Sequence, residues 1–188
     1  MRRVVVTGMS AISPIGSDWK TISGNLSSCN TGIKYMEDWE CYNEMITRLG
    51  APVDNFKKPE HYSRKQVRSM GRVALMATVA TETALEDSQL LNDPIISDGR
   101  MGVGYGSSTG STEAVKDFGN MLLNNSSVHL NANTYLKMMS HTAAVNIGVF
   151  FRLKGRIIPT SSACTSGSQG IGFSYEAIKY GHQDLMVA

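Results

Sequence analysis

Within the 25 residues from Ile157 to Gly181 the sequence passes from strand to helix with almost nothing between. Ile157 to Thr160 reads as a short strand. Ser166 to Tyr180 reads as a helix, with Ile171, Ser174, Tyr175 and Ile178 at three- and four-residue steps and Gly181 placed to end it. The alternation recurs along the chain and implies an α/β fold, with a parallel or mixed sheet covered by helices on both faces.

Arg2 to Gly8 carries three consecutive β-branched residues, Val4 to Val6, and predicts a short buried strand. Ser17 or Asp18 is placed to cap a helix through Leu26, and Ser27 to Pro59 reads as an irregular excursion. The clearest helical signal spans Arg64 to Leu90. Val67, Met70, Ala74, Ala77, Ala80 or Thr81, and Ala84 recur at helical spacing on a small face that lets a neighbour come close, and Asn92-Asp93-Pro94 ends the run. Met101 to Tyr105 predicts a strand, Gly106 to Gly110 a loop, and Ser111 the opening of another helix. Thr134 to Phe151 predicts one or two short helices, and Asp184 to Ala188 a further buried strand. That last apolar run stops without a turn or polar tail, so the chain is expected to be part of a longer one.

Of 188 residues, 41% are hydrophobic and 18% charged, which excludes a disordered chain. A chain of this length buries a core without disulfide or metal staples. The 18 Lys+Arg against 16 Asp+Glu leave +2, which excludes a strongly basic nucleic-acid binder and requires any electrostatic partner to meet a local patch. Cys29, Cys41 and Cys164 are an odd, widely spaced set that suits a reducing compartment. The apolar start is broken at Thr7 and Gly8, too early for a signal peptide, and no run reaches the roughly 18 residues of a membrane span. A soluble, cytoplasmic protein with no membrane or nucleic-acid partner is expected.

Cys164 stands in Ser161-Ser162-Ala163-Cys164-Thr165-Ser166-Gly167, between the strand and the helix and among small residues that let another molecule approach. At a helix N-terminus, unpaired N–H groups and the helix dipole favour thiolate over thiol, and they also stabilise an oxyanion. Two readings stand on spacing alone: a nucleophile and a buried structural cysteine. Gly102-Val103-Gly104-Tyr105-Gly106 is not a dinucleotide loop, because Ser107 breaks the GxGxxG pattern. Lys57, Lys58, Arg64, Lys65, Arg68 and Arg72 are opposed only by Glu60. Arg64, Arg68 and Arg72 would line one face of a helix, as a solvated face or as a docking patch for an acidic partner. His61, His129 and His182 read as surface residues, and His141 as a capping or packing one.

Ala163-Cys164-Thr165-Ser166-Gly167 with Gly170-Ile171-Gly172 resembles the nucleophile motif of the elongating β-ketoacyl-acyl carrier protein synthases. Arg3-Val4-Val5-Val6-Thr7-Gly8-Met9, Ser13-Pro14-Ile15-Gly16, Ser63-Arg64-Lys65, Gly106-Ser107 and Asp184-Leu185-Met186-Val187-Ala188 resemble further stretches of that family, in family order along the whole chain. The resemblance implies a thiolase-like fold, with residues 1–188 as the N-terminal half of a duplicated αβαβα architecture and a mixed five-stranded sheet in that half.

It implies decarboxylative Claisen condensation, with Cys164 taking an acyl chain from acyl carrier protein and then passing it to the carbanion of malonyl-carrier protein. The Cys164 N–H would be one oxyanion donor. The second donor, two histidines and a lysine would come from the C-terminal half, and the four histidines here do not match those positions. Arg64, Lys65 and Arg68 would contact carrier protein. Thr109 falls where a larger apolar gate residue often stands, which leaves room for an unusual acyl chain, and Met138 and Phe151 would reach the acyl pocket or the dimer contact, or simply pack. A homodimer pairing through Ile157 to Thr160 is implied, with no cofactor and no metal. A different class of reading is a non-condensing split subunit that binds carrier protein and a partner half. A thiol hydrolase would need a histidine poised on Cys164, and the sequence offers no paired candidate.

Overall fold

The Asp18 carboxylate accepts a hydrogen bond from the Thr21 N–H at 2.9 Å and so caps helix α1, Trp19–Ser27. The computed structural model describes residues 1–188, in two compact units: Ser10–Lys57, and Met1–Met9 with Lys58–Ala188. In the first unit α1 is followed by a small antiparallel ladder of β1, Lys34–Tyr35, and β2, Leu49–Gly50. A single 3-10 turn, Glu37–Cys41, bridges them and lays the Trp39 ring against Gly50, where a Cβ would stand 2.9 Å from it. The irregular excursion expected from Ser27 to Pro59 therefore contains a minimal hairpin.

The second unit holds the chemistry. Helices α2, Arg64–Val67, and α3, Arg72–Asp87, precede strand β3, Met101–Gly106. Then come α4, Thr112–Asn124, α5, Ala132–Met138, and α6, Thr142–Phe150. Strand β4, Ile157–Thr160, helix α7, Ser166–Lys179, and strand β5, Leu185–Val187, complete it. The sheet is parallel in the order β4-β3-β5, with β3 at its centre.

The two faces of β3 differ because side chains alternate along a strand. Met101 and Val103 enter a cluster with Ala77, Leu85, Ile147, Phe151 and Leu153, which puts α3 and α6 on one face. On the other side Gly102 meets Arg156, Gln183 and Met186, while Gly104 and Gly106 look at α7. There Ser166, Gly170 and Ser174 form a buried stripe at four-residue spacing, and strand and helix backbones nearly touch: a Cβ on Gly104 would come within 2.9 Å of the Gly170 carbonyl. The glycine repeat is a packing device for α7. The Schellman-like end of that helix is as the sequence implies, with Gly181 at φ +77° and the His182 N–H bonded to the Ala177 carbonyl at 2.8 Å.

Several expectations are corrected. Five strands are present, but three form the central sheet and two the separate hairpin, so the parallel and antiparallel pairings belong to different sheets. Arg2 to Gly8 joins no ladder, and Val5 and Val6 are exposed. Its ends are held by helices instead: the Arg2 N–H donates to the Lys179 carbonyl and the Met9 N–H to the Asp87 carboxylate. β-branched propensity alone does not form a strand where no neighbouring strand offers a ladder. The single helix expected from Arg64 to Leu90 breaks at Ser69–Gly71. Gly71 takes an extended conformation with φ −80° and ψ 179°, its Cα pressed toward the Ser111 side chain, and the Ser69 hydroxyl donates to Asn146 Oδ1 at 2.8 Å. Arg72 therefore starts a new helix and does not extend the face that carries Arg64 and Arg68. On α7 the face that carries Ile171, Ser174 and Tyr175 is divided: Ser174 is buried while Ile171 and Tyr175 are exposed, so the helix buries its small side.

Candidate active site

Cys164 sits in the turn that carries the chain from β4 into α7, two residues ahead of the helix, and is exposed as a free thiol. Ala163, immediately before it, has φ +52°, in the left-handed region that a residue with a Cβ enters at a cost of about 1–3 kcal/mol. Such strain persists only where the surroundings over-determine it, and here they do.

Four hydroxyl side chains hold the turn. Thr160, at the end of β4, donates to the Ser166 carbonyl at 2.7 Å. Ser166, buried at the first turn of α7, accepts from the Ser162 N–H at 2.9 Å and donates to the Ala163 carbonyl at 2.7 Å. Thr165 donates toward the Ser162 carbonyl at 2.8 Å and lies 3.0 Å from the Ser162 hydroxyl, which itself donates to Gln169 Oε1 at 2.9 Å. Every residue from 160 to 166 except Ser161 and Cys164 takes part in these bonds. The cysteine is thus presented on a rigid support while its own side chain stays accessible, which is what a thiol needs to act as a nucleophile on an incoming molecule. Sequence reading picked out Cys164 and missed this lattice. Its signal was the density of Ser and Thr from 160 to 168, which reads equally well as helix capping.

The sheet ties this turn to the loop after β3. The Ser107 N–H donates to the Thr160 carbonyl at 3.0 Å, and Gly106 lies directly against the Ser166–Gly167 peptide. Thr109, two residues further on, is exposed, and the Ser107 hydroxyl donates to its carbonyl at 2.8 Å. Gly110 packs against the Met138 carbonyl with no room for a side chain, so Thr109 and Met138 are neighbours in space. Thr109, Gly110 and Ser111 line a small pocket together with Gly71, Lys137 and Thr142. Phe151 is elsewhere: it is buried in the central cluster, its ring 5.0 Å from that of Phe150.

Arg64 and Lys65 lie on α2 and Arg68 just beyond it, all exposed. A reciprocal cap in which Ser63 and Gln66 bond each other's backbone fixes the turn. All four histidines are exposed. His61 bonds the Glu82 carboxylate at 3.0 Å, His129 follows α4, His141 precedes α6, and His182 lies past the far end of α7 from Cys164. No three His, Cys, Asp or Glu side chains are grouped to hold a metal ion, and no helix is long and apolar enough to cross a membrane.

A parallel sheet with helices on both faces, whose edge strand delivers a cysteine on a strained turn into a helix, defines a thiolase-like α/β domain. The chain belongs to the β-ketoacyl synthase family: residues 1–188 match the model of the "Beta-ketoacyl synthase, N-terminal domain". It is 32% identical over 192 residues to a 3-oxoacyl-[acyl-carrier-protein] synthase 2 of Vibrio cholerae, covering 100% of this chain and 45% of that protein. A crystal structure of a β-ketoacyl synthase from Burkholderia phymatum superposes with a TM-score of 0.94 at 49% identity, over 97% of this chain and 45% of that one. The ketosynthase AntDE, solved with the type II polyketide acyl-carrier protein AntF, shares the fold with a TM-score of 0.77 at 19% identity, over 95% and 47% of the two chains. The chain therefore spans a little under half the length of these relatives.

Proposed function

We propose that Cys164 is the acyl acceptor of a decarboxylative chain-elongating condensation. The observation that carries this reading is the exposed thiol held on the left-handed Ala163 turn at the mouth of α7, in a chain that matches the ketosynthase N-terminal domain. In the first step the Cys164 thiol loses its proton, and Sγ bonds the carbonyl carbon of an acyl thioester on acyl carrier protein. The bond from that carbon to the carrier's sulfur breaks, and the carrier leaves as a thiol with the released proton. In the second step a malonyl thioester loses carbon dioxide. The electron pair left behind forms the carbon–carbon bond to the acyl group and expels the Cys164 thiolate. The product is a 3-oxoacyl thioester two carbons longer, for fatty-acid or polyketide elongation.

This chain supplies the nucleophile and, in the Cys164 N–H, one donor to the oxyanion. A second α/β half is proposed to supply the other donor and the two histidines and lysine that activate malonate, so residues 1–188 alone would not condense. Arg64, Lys65 and Arg68 are proposed to dock the acidic carrier protein, and Thr109 and Met138 to line the acyl chain. Phe151, buried among Ala77, Val103 and Ile147, acts as a core residue. The assembled enzyme is proposed to be a cytoplasmic homodimer.

The test is the intact mass of the full-length protein after incubation with acyl-carrier protein. One added acyl group, absent from Cys164→Ala, is the expected result, followed by 3-oxoacyl product once malonyl-carrier protein is added. Carrier binding with no adduct would instead establish a non-condensing subunit.

A further inference from the structure

Among the hydroxyls around the cysteine, one has a position the others lack. Ser166 is 3% exposed, and its polar atoms reach three residues of the turn. Its hydroxyl accepts from the Ser162 N–H at 2.9 Å and donates to the Ala163 carbonyl at 2.7 Å. Its own N–H donates to that same carbonyl at 3.1 Å, and its carbonyl accepts from the buried Thr160 hydroxyl at 2.7 Å. These bonds close on both sides of Ala163, the residue held at φ +52°.

Thr165 also bonds within the turn, but it is exposed and its hydroxyl accepts from no backbone N–H, whereas the buried Ser166 hydroxyl accepts from that of Ser162. Water can replace an exposed hydroxyl. Nothing replaces a buried one that satisfies a donor and an acceptor at once.

From this geometry we infer that Ser166 is a positioning residue for the acylation of Cys164, its hydroxyl clamping the Ser162–Ala163 peptides so that the left-handed turn aims Sγ and the Cys164 N–H at one thioester carbonyl. The inference rests on the acyl-acceptor reading of Cys164. Without the hydroxyl the Ser162 N–H loses its partner, and Ala163 is held on one side only, by the Ser166 N–H on its carbonyl, so the turn loosens toward an ordinary conformation. The thiol stays as accessible as before while its direction is no longer fixed. Reactions that need only an accessible thiol then separate from the one that needs aim. Alkylation by a small electrophile belongs to the first kind. Transfer from a thioester, whose carbonyl oxygen must meet the backbone donor as Sγ meets the carbon, belongs to the second.

The experiment compares wild-type full-length protein with Ser166→Ala and Ser166→Thr. It follows acylation of Cys164 by acyl-carrier protein under single-turnover conditions, and alkylation of Cys164 by iodoacetamide. For Ser166→Ala the saturating acylation rate is expected to fall about 10- to 100-fold. The carrier concentration at half-saturation and the alkylation rate are expected to stay near wild type, and Ser166→Thr, which keeps the hydroxyl, should recover most of the acylation rate. A folded Ser166→Ala variant acylated at the wild-type rate overturns the inference, as does a variant in which acylation and alkylation fall together and Thr gives no recovery. If Ser166→Ala does not fold, Thr160→Val frees the Ser166 carbonyl from below. That variant is expected to lose acylation selectively and by a smaller factor, and an unchanged rate overturns the inference. A wild-type protein that takes no acyl group overturns the acyl-acceptor reading itself, and this inference with it.

Discussion

Gly104 on β3 and Ser174 on α7 face each other so closely that a Cβ on the glycine would stand well inside 3.0 Å of the serine Oγ. Ser174 Oγ is buried there without a hydrogen-bond partner. The hydroxyl was desolvated for the sake of a side chain small enough to admit the strand, and it has no polar return. Gly104→Ala is therefore expected to destabilise the protein by about 1–3 kcal/mol through overpacking. Ser174→Ala, which removes the unpartnered oxygen and leaves the Cβ, is expected to be neutral or to stabilise by up to about 1 kcal/mol. The double variant should lose less than Gly104→Ala alone, because the nearest obstacle is gone while the Gly170 carbonyl remains. Urea denaturation of the three variants checks this, and a Ser174→Ala protein clearly weaker than wild type would show that the hydroxyl has a partner.

The same contact shows which parts of the fold were legible in the sequence. The alternation of strand and helix, the cap at Asp18, the end at Gly181 and the placement of Cys164 between β4 and α7 all follow from local signals, and all are present. What escaped was direction and partnership. Helical spacing groups Ile171, Ser174, Tyr175 and Ile178 on one face of α7 without saying which face turns inward. The glycines of β3 demand small neighbours, however, so Gly170 and Ser174 face inward. Val4 to Val6 has the composition of a strand but lacks a neighbour in the β4-β3-β5 sheet. The break before Arg72 depends on Ser111 and Asn146, which lie some 40 and 75 residues away in sequence. A site held by hydroxyls likewise leaves only a run of Ser and Thr, whose bonds depend on the turn already being formed.

Tyr62 gives the second unit a signature at high pH. Its ring is buried against that of Phe150, with centroids 4.5 Å apart, and its hydroxyl donates to Glu82 at 3.1 Å. Burial, then the Glu82 charge and hydrogen bond, then the Glu86 charge hold the phenol far above its ordinary value of 10.0. A group whose folded value is raised stabilises the fold fully below its unfolded value and loses that contribution as pH climbs from there toward the folded value. Stability is therefore expected to fall with pH from about 10 upward. Tyr62→Phe should flatten that part of the profile while costing about 1 kcal/mol at neutral pH for the lost hydrogen bond. Thermal unfolding followed across neutral to alkaline pH decides it, and an equally steep alkaline loss in Tyr62→Phe would assign the effect to other groups.

Thr109 offers a test of the acyl-lining reading that is separate from nucleophile chemistry. It is exposed at the loop that leaves β3 beside the Cys164 turn, with Met138 as its neighbour across Gly110. Replacing it with Phe adds a ring where the chain is proposed to pass. Acylation by long-chain acyl-carrier protein is expected to drop by about 10-fold or more, in line with what pocket shape achieves by sterics, while a short-chain donor reacts as before. Equal losses for both donors would place Thr109 outside the chain's path.

Charge at α2 separates docking from chemistry. Arg64, Lys65 and Arg68 are exposed side chains held on the turn that Ser63 and Gln66 cap, so altering them removes attraction without disturbing a buried contact. Exposed charges at an interface mainly set the rate of encounter and its salt dependence. Reversing all three to Glu is expected to weaken association with an acidic acyl-carrier protein by on the order of 10-fold or more at low salt, chiefly through the association rate. The gap between variant and wild type should close as salt rises, because the screening length shrinks from about 10 Å at 0.1 M to about 3 Å at 1 M. Acylation of Cys164 at saturating carrier should be unchanged, and so should the melting temperature. A variant that binds carrier as tightly and as salt-sensitively as wild type would move the docking surface away from α2, leaving the proposed role of Cys164 intact because the two are read by different measurements.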